Sequence, residues 1–212
     1  MRRVLHHYGF FALLRLARDL AASAYVSFRL KTSGIAFFRL PLYIRGGRFI
    51  RIGKKFTSGV GLRLDAFWSG ETPPLIQIGD FVEMNDYVHI ACISRVTIGD
   101  NVLIASKVFI TDHNHGNYGP EAATASDPRV PPRSRRLQSA PVTIEENVWL
   151  GEYVTILPGV TIGRGSVIGS MSVVTRDIPP YTIAVGAPAR PQKTYDFTCG
   201  AWRSTGAAEA TE

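Results

Sequence analysis

The stretch VTIEENVWLGEYVTILPGVTIGRGSVIGSMSVV, residues 142–174, sets an aliphatic residue at every sixth place: Ile144, Leu150, Ile156, Ile162, Ile168 and Val174. Four places after each of the first five stand Val148, Val154, Val160, Ser166 and Ser172. A helix repeats every 3.6 residues and a strand every two, so neither sustains a period of six over this length. A short strand plus a tight turn, repeated, does. Three such units close a triangular coil, and stacked coils bury the repeated aliphatic in a column, with Gly or Asn favoured at the corners.

Working outward, an earlier block carries the same pattern. Ile78, Met84 and Ile90 are followed, after a two-residue offset, by Ile98, Ile104 and Ile110, with Val82, Val88, Val102 and Val108 at the partner places. Ile52-Gly53 is an outlying start. Two registered blocks argue against a chance run of β-branched residues.

The chain has 212 residues, 45% of them hydrophobic, enough for one domain with a substantial core and a small appendage. A net charge of +7 suits an acidic partner: a phosphorylated cofactor, a nucleotide-linked substrate, an anionic lipid surface or nucleic acid. Nucleic acid has little support, because the arginines lack interleaved aromatics. Cys92 and Cys199 form no CxxC pair, which speaks against a disulfide framework or a cysteine zinc site and fits a reducing cytoplasm.

Near the N-terminus, GFFALL is interrupted by Arg15, Arg18 and Asp19, so neither a signal peptide nor a membrane span is expected. Phe10, Leu13, Leu14, Ala17 and Ala21 instead fall at helical spacing, with Arg15, Arg18 and Asp19 on another face. This amphipathic basic helix needs a partner for its apolar face. Packing on this protein or a neighbouring subunit is expected ahead of docking on an anionic membrane.

Between Ile110 and Ile144 the register is suspended for 33 residues, opening with ITDHNHGNY at 110–118 and continuing through Arg129, Arg133, Arg135 and Arg136. Long excursions from a rigid scaffold are where function concentrates. His113 and His115 read as a base, part of a metal site, or a polar turn. The arginines read by default as a mobile solvated loop.

VTIGDNVLIASKVFI (96–110), VTIEENVWLGEYVTILPGVTIGRGSVIGSMSVVTRDIPP (142–180) and VGAPAR (185–190) together resemble the hexapeptide-repeat acyltransferases. The branch they resemble acetylates sugar hydroxyls, including O-antigen and capsule modifiers and the galactoside and maltose acetyltransferases. The resemblance covers residues 50–195. It implies a mainly-β fold, a left-handed parallel β-helix, with 111–143 as the active-site loop. Residues 1–49 are expected to form an N-terminal amphipathic helical and extended segment, and 196–212, which lack periodicity, a loose tail. The resemblance also implies acetyl-CoA as donor without a metal, a saccharide or glycoconjugate acceptor, direct transfer without an acyl-enzyme, and a homotrimer. The cysteine usage adds the expectation of a cytoplasmic location, and the N-terminal helix that of peripheral membrane contact as the second reading of its apolar face.

Acetyl transfer to a hydroxyl needs a base to remove its proton, and histidine suits this at neutral pH. The family's catalytic histidine falls seven residues after Val108, at His115. His113 then shapes the loop, binds acceptor, or is the base in a register shifted by two. Asp112 is placed to orient a nearby imidazole. Asn85 matches an acceptor-binding Asn, and a coil corner is its competing reading. Trp149 matches a Trp beside the donor arm, with subunit packing as the alternative. For the cofactor, Ser170, Thr175 and Arg190 match family positions, Lys193 falls where a second basic residue is common, and Gly169 and Arg176 lie beside them. The inserted PRVPPRSRRLQ departs from the galactoside enzymes and leaves the acceptor open.

Three other functions are weighed. N-acetylation of an amino sugar uses the same donor and base. A zinc lyase like γ-class carbonic anhydrase would use His89, His113 and His115, although that pair's spacing does not match. The third is a catalytically silent scaffold.

Overall fold

The computed structural model describes residues 2–34, 36–68, 70, 73–119 and 125–205, with side chains from Phe10 onward. From Phe37 to Gly186 the chain winds round a triangular prism, visiting three parallel sheets in strict rotation as a left-handed β-helix. Face one takes strands 37–38, 57–58, 83–84, 103–104, 149–150, 167–168 and 182–186. Face two takes 42–45, 62–66, 89–92, 109–111, 155–156 and 173–174, and face three 50–52, 75–78, 95–98, 142–144 and 161–162.

The strand register produces the columns that the period requires. On face three Ile52, Ile78, Ile98, Ile144, Ile162 and Ile178 stack in line, each buried. Face two stacks Ile44, Leu64, Ile90, Ile110, Ile156 and Val174. Face one stacks Phe38, Ser58, Met84, Ile104, Leu150, Ile168 and Ala184. The partner valines from Val82 to Val160 are buried beside them. Burying each such side chain contributes about 1.5–3 kcal/mol against the conformational entropy of ordering the chain.

The corners differ from expectation. Left-handed backbone falls not only on Asn101 and Asn147 but on Lys55, Phe81, Tyr87, Lys107, Tyr153, Met171 and Tyr181. Each turn is clamped by the neighbouring coil, as where the Tyr87 N–H donates to Val60 O at 2.7 Å, so stacking holds a conformation that the side chain disfavours.

Six-residue steps hold at two of the prism's edges in every coil. At the edge from face two to face three the step is eight from Ile44 to Ile52, fourteen from Leu64 to Ile78 and eight from Ile90 to Ile98. It is thirty-four from Ile110 to Ile144. All the insertions therefore rise along one edge.

Helix α1, Arg2–Leu30, lies over the first strand of face one. Its buried stripe is polar over Asp19 and Ser23, and apolar only at its C-terminal end, where Leu30 is buried and Val26 packs on the core. Ser23 Oγ accepts from Phe38 N at 2.8 Å and donates to Asp19 O at 2.6 Å, and Ser27 Oγ accepts from Ala36 N at 3.2 Å. The end strand's unpaired amides need acceptors, which is why this stripe faces the body. The expectation named this chain or a neighbouring subunit as the partner of the apolar stripe, and the first of these is corrected: Leu13 is half-buried, but Phe10, Leu14, Ala17 and Ala21 are exposed on the outer side, and Phe11 and Phe28 are 77% and 81% exposed.

Both ends of the β-helix extend past the legible repeat. The first coil starts at Phe37 rather than near residue 50, and Pro179-Pro180 turns a corner without ending the column, which Ala184 continues. The expected loose tail is corrected as far as it is described. Strands 189–196 and 201–204 pair antiparallel, and rings of Tyr181, Tyr195, Phe197 and Trp202 meet edge to face. Residues 206–212 of that tail lie outside the described residues.

Candidate active site

The histidine loop leaves the prism at the irregular edge, and Asp112 secures its root. The Asp112 carboxylate is fully buried and accepts backbone N–H bonds from Ile93 at 2.9 Å, Ser94 at 2.7 Å and Arg95 at 2.8 Å, the tight corner of the preceding coil. Cys92 Sγ lies 3.3 Å from the same carboxylate. His113 Nδ1 meets Asp112 Oδ1 at 2.9 Å, and Thr111 Oγ1 lies 3.3 Å from that nitrogen.

Burial pushes the Asp112 carboxyl up, but the hydrogen bonds from His113, Ile93, Ser94 and Cys92 outweigh it and hold the group below the ordinary aspartate value. The same burial, with the Asp112 charge beside it, pushes the Cys92 thiol far up, so Cys92 is a neutral donor and no nucleophile. An ionised Asp112 accepts from Nδ1 of His113 and so fixes the orientation of that ring.

The described part of the loop is organised rather than merely solvated. Residues 113–114 pair antiparallel with 138–139, and Ala140 N donates to Asp112 O. Tyr118 OH donates to His115 O at 2.6 Å, and Arg135 contacts Tyr118 OH, Val130 O and Pro128 O. Arg129 pairs with Asp127. Arg135 thus serves as a brace, while Arg129, Arg133 and Arg136 are exposed.

Asp112 thus holds His113 and not His115. The His113 side chain is 12% exposed, whereas His115 is exposed at the mouth, its ring edge-on to His113 at 6.5 Å. His89 does not join the pair. It meets Asp65 at 3.3 Å and stacks on Phe109 two columns away, and no group of three or more His, Cys, Asp or Glu among the described residues is arranged to hold a metal.

The other expected residues fall into two sets. Thr175 and Arg176 follow Val174 on the histidine edge, both exposed. Asn85, Gly169 and Ser170 lie on the edge between faces one and two, where Asn85, Ala105, Gly151 and Gly169 succeed one another as a lane of small residues, linked by amides bonded to the next coil. Trp149 stands outward on face one in register with Val167, Ile183 and Lys193, with Arg190 in the same terminal hairpin. A single chain therefore presents the base edge and the Asn85 edge on opposite borders of face two.

Sequence reading missed the carboxylate's grip on residues 93–95. The two-residue offset between Ile90 and Ile98 was its only trace.

With this geometry in view, comparison with known proteins is direct. The profile described as bacterial transferase hexapeptide (six repeats) matches residues 141–176. A protein of Escherichia coli K12 named as a lipopolysaccharide biosynthesis O-acetyl transferase, WbbJ, is 46% identical over 200 residues, covering 94% of this chain and 97% of its own length. The galactoside O-acetyltransferase of Escherichia coli K12 is 35% identical over 155 residues, covering 73% of this chain and 59% of that protein. A solved galactoside acetyltransferase in complex with coenzyme A matches with TM-score 0.50 and 27% identity, covering 83% of this chain and 80% of that one. The chain belongs to the bacterial hexapeptide-repeat acyltransferases, in their sugar O-acetyltransferase branch.

Proposed function

We propose that the protein moves the acetyl group of acetyl-CoA directly to a hydroxyl of a saccharide or glycoconjugate of a cell-surface polysaccharide, with His115 as general base. The observation that carries this reading is the anchored loop, which sets an exposed imidazole at the one edge where the stacked coils open, beside a second histidine held by a buried carboxylate. His115 removes the hydroxyl proton as the oxygen attacks the thioester carbonyl, and the imidazolium returns that proton to the departing thiolate. Asp112 and His113 fix the ground on which His115 stands. Trp149 and the small-residue lane ending at Gly169 and Ser170 suit the pantetheine arm, while Thr175, Arg176, Arg190 and Lys193 suit the terminal phosphates.

We place the complete site between copies. The base edge and the Asn85 edge of one chain face apart, so a neighbouring copy must bring its Asn85 edge to the histidines, as in a closed homotrimer.

The outer face of α1 is assigned to an anionic membrane surface. Arg15, Arg18 and Arg29 accompany the apolar stripe, and the helix's acid, Asp19, is buried and paired with Arg18. No described helix is long and apolar enough to cross a membrane.

The test supplies acetyl-CoA with lipid-linked, nucleotide-linked and polymeric sugars, amino sugars included, and follows free thiol. His115→Ala is expected to lower kcat by roughly two to four orders of magnitude with acetyl-CoA affinity nearly unchanged. Loss of kcat in His113→Ala but not in His115→Ala would transfer the role of base to His113. Transfer to an amine and never to a hydroxyl would replace O- by N-acetylation.

A further inference from the structure

Face two carries a cluster that the reaction site does not use. Its outward positions run in register from Thr111 to Ala91, Asp65 and Arg45, and in the next row from Phe109 to His89, Arg63 and Tyr43. Adjacent strands lie about 4.8 Å apart, so Asp65 is roughly 10 Å and Arg45 roughly 14 Å from Thr111, the residue touching His113.

Asp65 is the centre of this cluster and its side chain is 1% exposed. Its Oδ2 accepts from Arg63 Nε at 2.6 Å and meets His89 Nε2 at 3.3 Å. Its Oδ1 is buried without a hydrogen-bond partner among the described residues, and Arg45 Nε approaches it to 3.7 Å. Phe67 lies under the Arg45 guanidinium and Phe109 beside His89. Burying a carboxylate is costly, and what it yields here is orientation: each arginine turns Nε toward Asp65. Among the described residues the terminal nitrogens of Arg45 and Arg63 make no hydrogen bond. They border a groove of about 710 Å³ lined also by Tyr43, Gly61, Tyr87 and His89. Tyr43 and Tyr87 are exposed, flat surfaces suited to the apolar faces of sugar rings.

We propose that this groove is an acceptor subsite that binds a phosphate or diphosphate carried by the saccharide, its Asp65 and Arg45 lying roughly 10–14 Å along face two from Thr111 at the root of the histidine loop. Two guanidinium forks suit phosphate oxygens, and Asp65 keeps them oriented before the ligand arrives. The proposal rests on the saccharide reading above and sharpens it: the acceptor is a phosphorylated glycan rather than a neutral sugar.

The experiment compares one oligosaccharide with a free reducing end, with a nucleoside diphosphate there, and with a short prenyl diphosphate there. The wild type is expected to show a KM roughly 10- to 100-fold lower for a diphosphate acceptor than for the neutral one. Arg45→Gln with Arg63→Gln should remove that gain and leave kcat and the neutral sugar's KM unchanged. A gain in either diphosphate arm supports the subsite and identifies its source. Equal KM for all three acceptors in the wild type overturns it, as does equal weakening of every acceptor in the double variant.

Calorimetric titration of the diphosphate sugars without acetyl-CoA separates this from the reaction itself. Binding that the double variant abolishes, with no acetyl transfer to any sugar, would uphold the subsite and reject the proposed function.

Discussion

Asp112 serves the fold and the histidine with one carboxylate, and substitution separates the two. Asp112→Asn puts an amide nitrogen against a ring of backbone donors, which should destabilise the protein by about 2–3 kcal/mol in urea unfolding. The pH dependence has a definite sign. Because the folded carboxyl titrates below the ordinary aspartate value of about 3.9, its stabilisation is complete above that pH and is lost as pH falls through the lowered value. The gap between wild type and Asp112→Asn should therefore be constant near neutrality and narrow below about pH 4. A gap that widens on acidification would mean that Asp112 is not held ionised by these donors. At this scale the sequence was partly legible. Asp112 stands beside His113, so their pairing could be expected, but its bonds to Ile93, Ser94 and Arg95 cross from one coil to the next, and no local spacing announces them.

Among the elements, the coils were the most legible because their chemistry is periodic: an inward position must be apolar in every turn, whatever the ligand. Helix α1 was legible as a helix and misread in its orientation. A sequence shows which residues share a face, but whether a body offers grease or unpaired amides to that face is settled by the end strand. Here Phe38 and Ala36 present N–H groups, Ser23 and Ser27 answer them, and the aromatic stripe is left outside. If that stripe rests on lipid, Phe11→Asp with Phe28→Asp should abolish co-sedimentation with vesicles containing phosphatidylglycerol. The wild type should bind these far better than phosphatidylcholine alone, with binding weakened by salt. Transfer to a soluble acceptor should be unaffected. Light scattering on the same variant gives the opposing outcome: subunit dissociation with unchanged vesicle binding would make the stripe an interface between copies.

For the whole molecule, the proposed site between copies rests on the separation of two edges of the prism. Face two separates the histidine edge from the edge carrying Asn85, Gly169 and Ser170, and the rigid columns inside leave no hinge between them. Two defects on opposite edges should therefore complement each other in a mixed assembly. His115→Ala and Asn85→Ala homo-oligomers are each expected to be nearly inactive, for different reasons, loss of the base in one and of an acceptor contact in the other. Co-expressed in equal amounts with separable tags, the two chains assort at random. A site built from the histidine of one copy and the Asn85 of the next is then intact in about one quarter of cases. Each mixed trimer, purified away from the two homotrimers, holds one intact pairing in three and should recover about a third of the wild-type kcat, whereas the two variants purified separately and mixed without exchange recover none. Absence of recovery in verified mixed oligomers would show that each chain uses its own residues alone, and the proposed placement of the acceptor between copies would have to be abandoned.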